Sequence, residues 1–150
     1  MTTATHATRL LQEFGARIGL PEVHFGDDDF CTLSFDDLIL NLEHRAADDS
    51  LTGYIWLCAV PAERRAEAAL QIADANYLLV ATAGATLGMN RLTGDVALSQ
   101  RLPTGDLDLP GLERAFTILL NLADRWRQRL TAEPVAAPAA APLDITALRV

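Results

Sequence analysis

CTLSFDDLILNLE, residues 31–43, reads as two short strands meeting at Asp36 and Asp37, a residue type that favours turns. Leu38, Leu40 and Leu42 alternate with Ile39, Asn41 and Glu43, so the second strand has one apolar and one mixed face. Just downstream, GYIWLCAV (residues 53–60) is apolar on both faces, as expected of a strand at the centre of a sheet. ATLGMNRLTGDVALSQRL (residues 85–102) reads as a second hairpin, with Thr93, Gly94 and Asp95 at its turn.

Three helices flank these strands. Ala7, Leu10, Leu11, Phe14 and Ile18 follow the spacing of one buried helical stripe, ended by Gly19 and Pro21. A second helix opens at Pro61 and runs through AERRAEAALQIADANYLL, with Ala62, Ala66, Ala69, Leu70, Ala73 and Tyr77 as its inner stripe. That stripe is mostly Ala, which lets another backbone approach closely and points to a second copy of the chain. The third helix begins near Pro110 with Asp108 as cap, and buries Leu112, Phe116, Leu119, Ala123, Trp126 and Leu130. The order α-β-β-β-α-β-β-α, with strands joined by short turns, predicts an antiparallel sheet and an α+β domain; the Ala stripe makes it homodimeric.

The chain has 150 residues, half of them apolar, enough for one domain with a real core. Its net charge is −8, and all twelve basic residues are Arg. Such acidity disfavours phosphate backbones and anionic lipid, so neither nucleic acid nor membrane is expected as a partner. No apolar run reaches a membrane span, and the N-terminus lacks the basic-then-apolar order of a secretion signal. A cytoplasmic protein is expected. Residues 131–150 hold seven Ala and three Pro, with Pro134, Pro138 and Pro142 spaced by four. They read as an extended tail beyond a folded unit of residues 1–130.

Catalytic signatures are missing from the pattern. His6, His24 and His44 share no metal-ligand spacing, and no CxxC or HExxH occurs, so neither metal nor cofactor is expected. Asp27, Asp28 and Asp29 could hold a divalent cation but lack the alternation of a calcium loop; a solvated loop is the plainer reading. Asp36 and Asp37 read as turn formers rather than an acid/base pair. Cys58 and Trp56 fall on one strand face, in the core or as a reactive thiol. What remains is apolar surface. Leu10, Leu11, Phe14 and Ile18, with Phe30, Leu33 and Leu38, are either core or a patch for an extended apolar partner that adds a strand to the sheet edge.

Several segments in this order carry a family likeness: LQEFGARIGLP, DDFCTLSFDDLILNLEH, GYIWLCAVP, an Ala-rich helix ending ANYLL, ATLGMNRLTGDVALSQRLP, and a long last helix. Over roughly residues 8–130 the chain resembles the class I type III secretion chaperones, the CesT/SycE-like family. The resemblance implies a non-enzymatic, ATP-independent homodimer that binds the N-terminal segment of one or more secreted effectors in extended form and keeps them secretion-competent. Carried onto this sequence, it implies effector contacts at Leu10, Leu11, Phe14, Ile18, Phe30, Leu33 and Leu38. It likewise implies dimer contacts at Ala66, Ala69, Leu70, Ala73 and Leu87. The Pro/Ala tail departs from the family's pattern. Two other readings stay open: a non-catalytic dimeric adaptor that binds a folded partner, and a small enzyme pairing His24 or His44 with an Asp at a dimer interface.

Overall fold

A computed structural model describes residues 5–133; the tail expected over residues 131–150 lies outside these from residue 134 onward. The chain runs α1 (His6–Arg17), β1 (Phe30–Phe35), β2 (Leu38–Arg45), β3 (Ser50–Ala59), α2 (Arg65–Asn76), β4 (Thr86–Met89), β5 (Asp95–Pro103) and α3 (Leu109–Thr131). One-turn 3₁₀ segments, Ala62–Arg64 and Tyr77–Leu79, flank α2. All five strands pair antiparallel in the order β1-β2-β3-β5-β4, so the apolar stretch around Ile55 is indeed central. This is the α+β order expected from the sequence.

Leu38, Leu40 and Leu42 turn their side chains into the core while Ile39 and Glu43 face solvent. The Asp36 backbone adopts φ 51°, a left-handed conformation that Asp tolerates better than most residues. It is a turn former. α3 packs across β3, touching β2 and β5, and α1 lies against α3. Asp108 caps α3 by accepting from the Gly111 N–H at 2.8 Å, and its whole expected stripe is buried. Gly53 sits where a Cβ would meet Leu119, Leu40 and Leu42, which lets α3 close on the sheet.

Two expectations need correction. The face that α2 turns to its own core is Ala68, Ile72 and Ala75, while Ala66, Ala69, Leu70 and Ala73 point outward. In a helix with five Ala among twelve residues, spread over both faces, methyl groups do not label a face. Each stripe also holds one large aliphatic side chain, Ile72 or Leu70, and the packing of α2 against β4 makes Ile72 the inward one. Second, Trp56 and Cys58 do not share an environment: Trp56 is exposed and Cys58 buried. A bulge in the β3–β5 register between these residues offsets the alternation, so Leu57 and Cys58 both turn inward.

A polar cluster ties the N-terminus of α1 to the β2–β3 turn. The buried His44 ring donates from Nε2 to Asp49 Oδ1 at 3.0 Å, since an ionised carboxylate can only accept. Asp49 also receives the Ala7 N–H at 3.4 Å, and the Thr104 hydroxyl donates to its main-chain carbonyl. Burial pushes the Asp49 carboxyl up, but hydrogen bonds from His44, the Ala7 N–H and Thr5 outweigh it and hold the group below the ordinary carboxylate range. A depressed carboxyl stabilises the fold above its unfolded pKa of about 4, and that contribution is lost as pH falls through the folded value. Asp49→Asn should therefore cost about 1–2 kcal/mol at pH 7 and flatten the stability profile below pH 5. Denaturant melts at pH 7, 5 and 3 check it; a profile parallel to wild type would remove Asp49 from the acid response.

Candidate peptide-binding edge

β1 and β4 are the two edges of the sheet, and they differ. At β4, the Asn76 side chain takes both main-chain groups of Leu87: Nδ2 donates to the carbonyl at 2.8 Å, and Oδ1 accepts the N–H at 3.0 Å. An amide side chain there mimics a neighbouring strand. With α2 packed against this four-residue strand, the β4 edge is closed.

The β1 edge is open. Phe30 O accepts from the Gly26 N–H at 2.9 Å on the side away from β2, while Asp29 O accepts from His44 N on the β2 side. Antiparallel alternation then turns the main-chain groups of Thr32 and Ser34 outward, where no backbone partner meets them among the described residues. Beside this edge lies a groove of about 620 Å³, lined on one side by Leu20, Pro21, Glu22, Val23 and His24 and on the other by Phe30 to Ser34. Its outer wall, the segment between α1 and β1, packs tightly on α1 at Gly15. A Cβ there would come within 2.6 Å of Leu20 O and Val23 Cβ, so only glycine admits the wall this close. His44 holds the same segment from its other end, stacked on Phe25 at 5.4 Å and 3.4 Å from Asp29. A separate, smaller hollow of about 380 Å³ is lined by Phe14, Ile18, Phe35, Glu113, Phe116, Thr117 and Leu120.

The candidate contacts divide by burial. Leu10, Leu11, Phe14, Leu33 and Leu38 are core residues of the single chain, all under 9% exposed, though Leu33 and Phe14 reach the groove walls. Ile18 is 40% exposed and Phe30 half-buried against Tyr54, so these two present apolar surface. The groove wall at Leu20 and Val23 and the open main chain of Thr32 and Ser34 lie outside the sequence-derived set. Thr and Ser carry no hydropathy signal, and their main-chain groups lack a backbone partner among the described residues because β1 ends up outermost.

On the other side of the molecule, Ala66, Ala69, Leu70 and Ala73 are exposed along α2, whereas the Leu87 side chain is core. Arg65 bonds the carbonyls of Leu92 and Thr93, which sets Leu92 at the start of this strip. Tyr77, Leu78 and Val80 end it, each more than 70% exposed, with Leu78 and Leu79 in left-handed conformations that Leu rarely adopts. This is a large apolar strip for water to face.

Each histidine has a structural partner: His6 Nε2 donates to Leu107 O at 2.8 Å, His24 Nδ1 to Glu22 O at 2.7 Å, and His44 as described. Burial pushes both thiols up, Cys31 in the groove floor and Cys58 in the core, which disfavours the nucleophilic thiolate. Among the described residues, no three His, Cys, Asp or Glu side chains gather as a metal site, and no helix is long and apolar enough to cross a membrane. The geometry offers recognition of a main chain in extended form.

The model of the Tir chaperone protein (CesT) family matches residues 9–127. A chain of the ExsC–ExsE complex superposes with TM-score 0.71 at 27% identity, over 91% of this chain and all of that one. A chain of the HopA1–SchA chaperone–effector complex gives 0.67 at 26% identity, over 82% of this chain and 94% of that one. One from the heterodimeric ExoU–SpcU complex of the Pseudomonas aeruginosa type III secretion system gives 0.62 at 18% identity, over 83% and 97%, a likeness of fold. Comparison with curated proteins gives no match.

Proposed function

Since this chain belongs to the Tir chaperone protein (CesT) family, we propose that it is a type III secretion chaperone that holds the N-terminal segment of one or more secreted effectors in extended form. The observation that carries this reading is the open β1 edge beside an apolar groove, with β4 closed by Asn76. A client strand pairs with Thr32 and Ser34 and sets alternate apolar side chains against Leu20, Val23 and Phe30. Ile18 and the hollow beside it receive a further apolar residue. Main-chain pairing needs no particular client sequence, which suits a chaperone of several effectors. The reading needs neither ATP nor catalysis and places the protein in the cytoplasm, where an unfolded client would otherwise aggregate. The outward strip of α2, with Ala66, Ala69, Leu70 and Ala73, forms a homodimer, so that one client wraps two copies.

The test is affinity capture with the intact chain from its host, followed by truncation of the captured partner. Retention through about 50–100 residues near the partner's N-terminus is expected. Retention through a folded domain would instead make the protein an adaptor. A proline at position 32 separates edge pairing from mere stickiness. The Thr32 N–H faces outward, so Thr32→Pro spares the β1–β2 ladder and removes one bond to the client. It should leave the fold intact and weaken capture at least tenfold; unchanged capture would exclude this edge.

A further inference from the structure

We infer that the strand accepted at the β1 edge is cationic at both ends, so that the edge selects its client by charge as well as by apolar fit. This inference rests on strand addition at β1 and concerns what the added strand carries.

Between Arg17 and Arg45 the sequence contains seven acidic residues and no Lys or Arg, so almost the whole net charge of −8 is concentrated around β1. Their placement follows the strand. Asp27 and Asp28 precede Phe30 at one end, with Glu22 on the facing groove wall. Asp36 follows Phe35 at the other end, and Glu43 stands beside Phe30 on β2. Asp37 is satisfied by Arg127 at 2.8 Å and Asp29 faces His44. Glu22, Asp27, Asp28, Asp36 and Glu43 have no ion-pair partner among the described residues.

Six strand residues span roughly 20 Å, about two screening lengths at 0.1 M salt, so the acidic groups at the two ends act on a bound strand as separate sites. A strand whose middle is apolar and whose ends carry Arg or Lys meets an acidic group at each end of its run. One with acidic ends meets like charge at both. The groove between them is lined by no Arg or Lys that would reverse this preference; its one imidazole, His24, is held by the Glu22 carbonyl.

Two blocked synthetic peptides test it on the intact chain. Both have the core Val-Thr-Val-Thr-Val; one is flanked by two Arg on each side, the other by two Glu. At about 20 mM salt the Arg-flanked peptide should bind at least tenfold more tightly, and the ratio should fall to within about threefold at 0.5 M. Its binding should slow amide exchange at Thr32 and Ser34 and be lost in Thr32→Pro, which excludes diffuse attraction to an acidic protein. Asp27→Asn with Asp28→Asn and Asp36→Asn, all at exposed turn positions, should shrink the low-salt ratio severalfold. Equal affinity of the two peptides, both protecting Thr32 and Ser34, would overturn charge selection and leave strand addition standing. If neither peptide protects those amides while a captured effector segment does, the charge inference falls and the chaperone reading survives. If the captured segment also leaves them unprotected, the β1 site falls as well.

Discussion

Phe14→Asp should unfold the chain rather than merely blunt its binding. Phe14 is 4% exposed and meets Phe116 edge-to-face, with centroids 5.1 Å apart at 88°. Truncating such a ring costs about 3–5 kcal/mol, and a carboxylate in its place must be buried unpaired or protonated. A domain of this size has about 5–15 kcal/mol in all, so a Tm fall beyond roughly 10 °C, or no cooperative melt, is expected. Phe14→Leu is the companion, keeping an apolar side chain at a cost of about 1–2 kcal/mol and leaving client capture intact. Should Phe14→Asp melt like wild type and lose only its partner, the ring would be solvent-accessible and α1 would pack differently against α3.

Leu70→Arg should do the reverse, leaving the fold and breaking the pair of chains. Leu70 is 74% exposed, so a longer charged side chain costs the monomer little. At the proposed homodimer contact it would bury a cation in an apolar strip, beside its own copy if the two-fold axis passes close. A central anchor of this kind contributes on the order of 2 kcal/mol or more, so dissociation should strengthen by at least about thirtyfold. Light scattering at micromolar concentration should give twice the chain mass for wild type and one chain mass for the variant, with Tm within a few degrees. A wild-type mass of one chain, or a variant that stays paired, would remove α2 as the contact. Val80→Arg, 82% exposed beyond the end of α2, tests how far the contact extends.

The two experiments divide the apolar residues by what covers them, a division absent from hydropathy alone. Leu10 and Leu11 on α1 have the spacing of a core stripe and also that of a binding patch. The packing of α1 against α3, where Phe14 meets Phe116, places them in the core. Ile18 continues the same spacing yet lies past the last turn of α1, where it is only partly covered and stays 40% exposed. In α2 the ambiguity is deeper. Ala68, Ile72 and Ala75 form one stripe and Ala66, Ala69, Leu70 and Ala73 another, each with one large aliphatic side chain, so hydropathy does not tell which of them faces the chain's own core.

By itself the sequence determined the order of elements, the two hairpins with their Asp and Gly turns, the central place of β3 and the buried face of α3. Each rests on interactions between residues close in the chain, or on long side chains that label a face without ambiguity. The tertiary structure alone decided that β1 and β4 are the edges, and that Asn76 closes one of them by reaching Leu87. It also decided that Gly15 and His44 hold the groove wall beside the other, and that a bulge separates Trp56 from Cys58. Those features depend on groups brought together across the sheet, where what a main-chain N–H or C=O meets is set by its neighbour in space and leaves no mark on the residue that carries it.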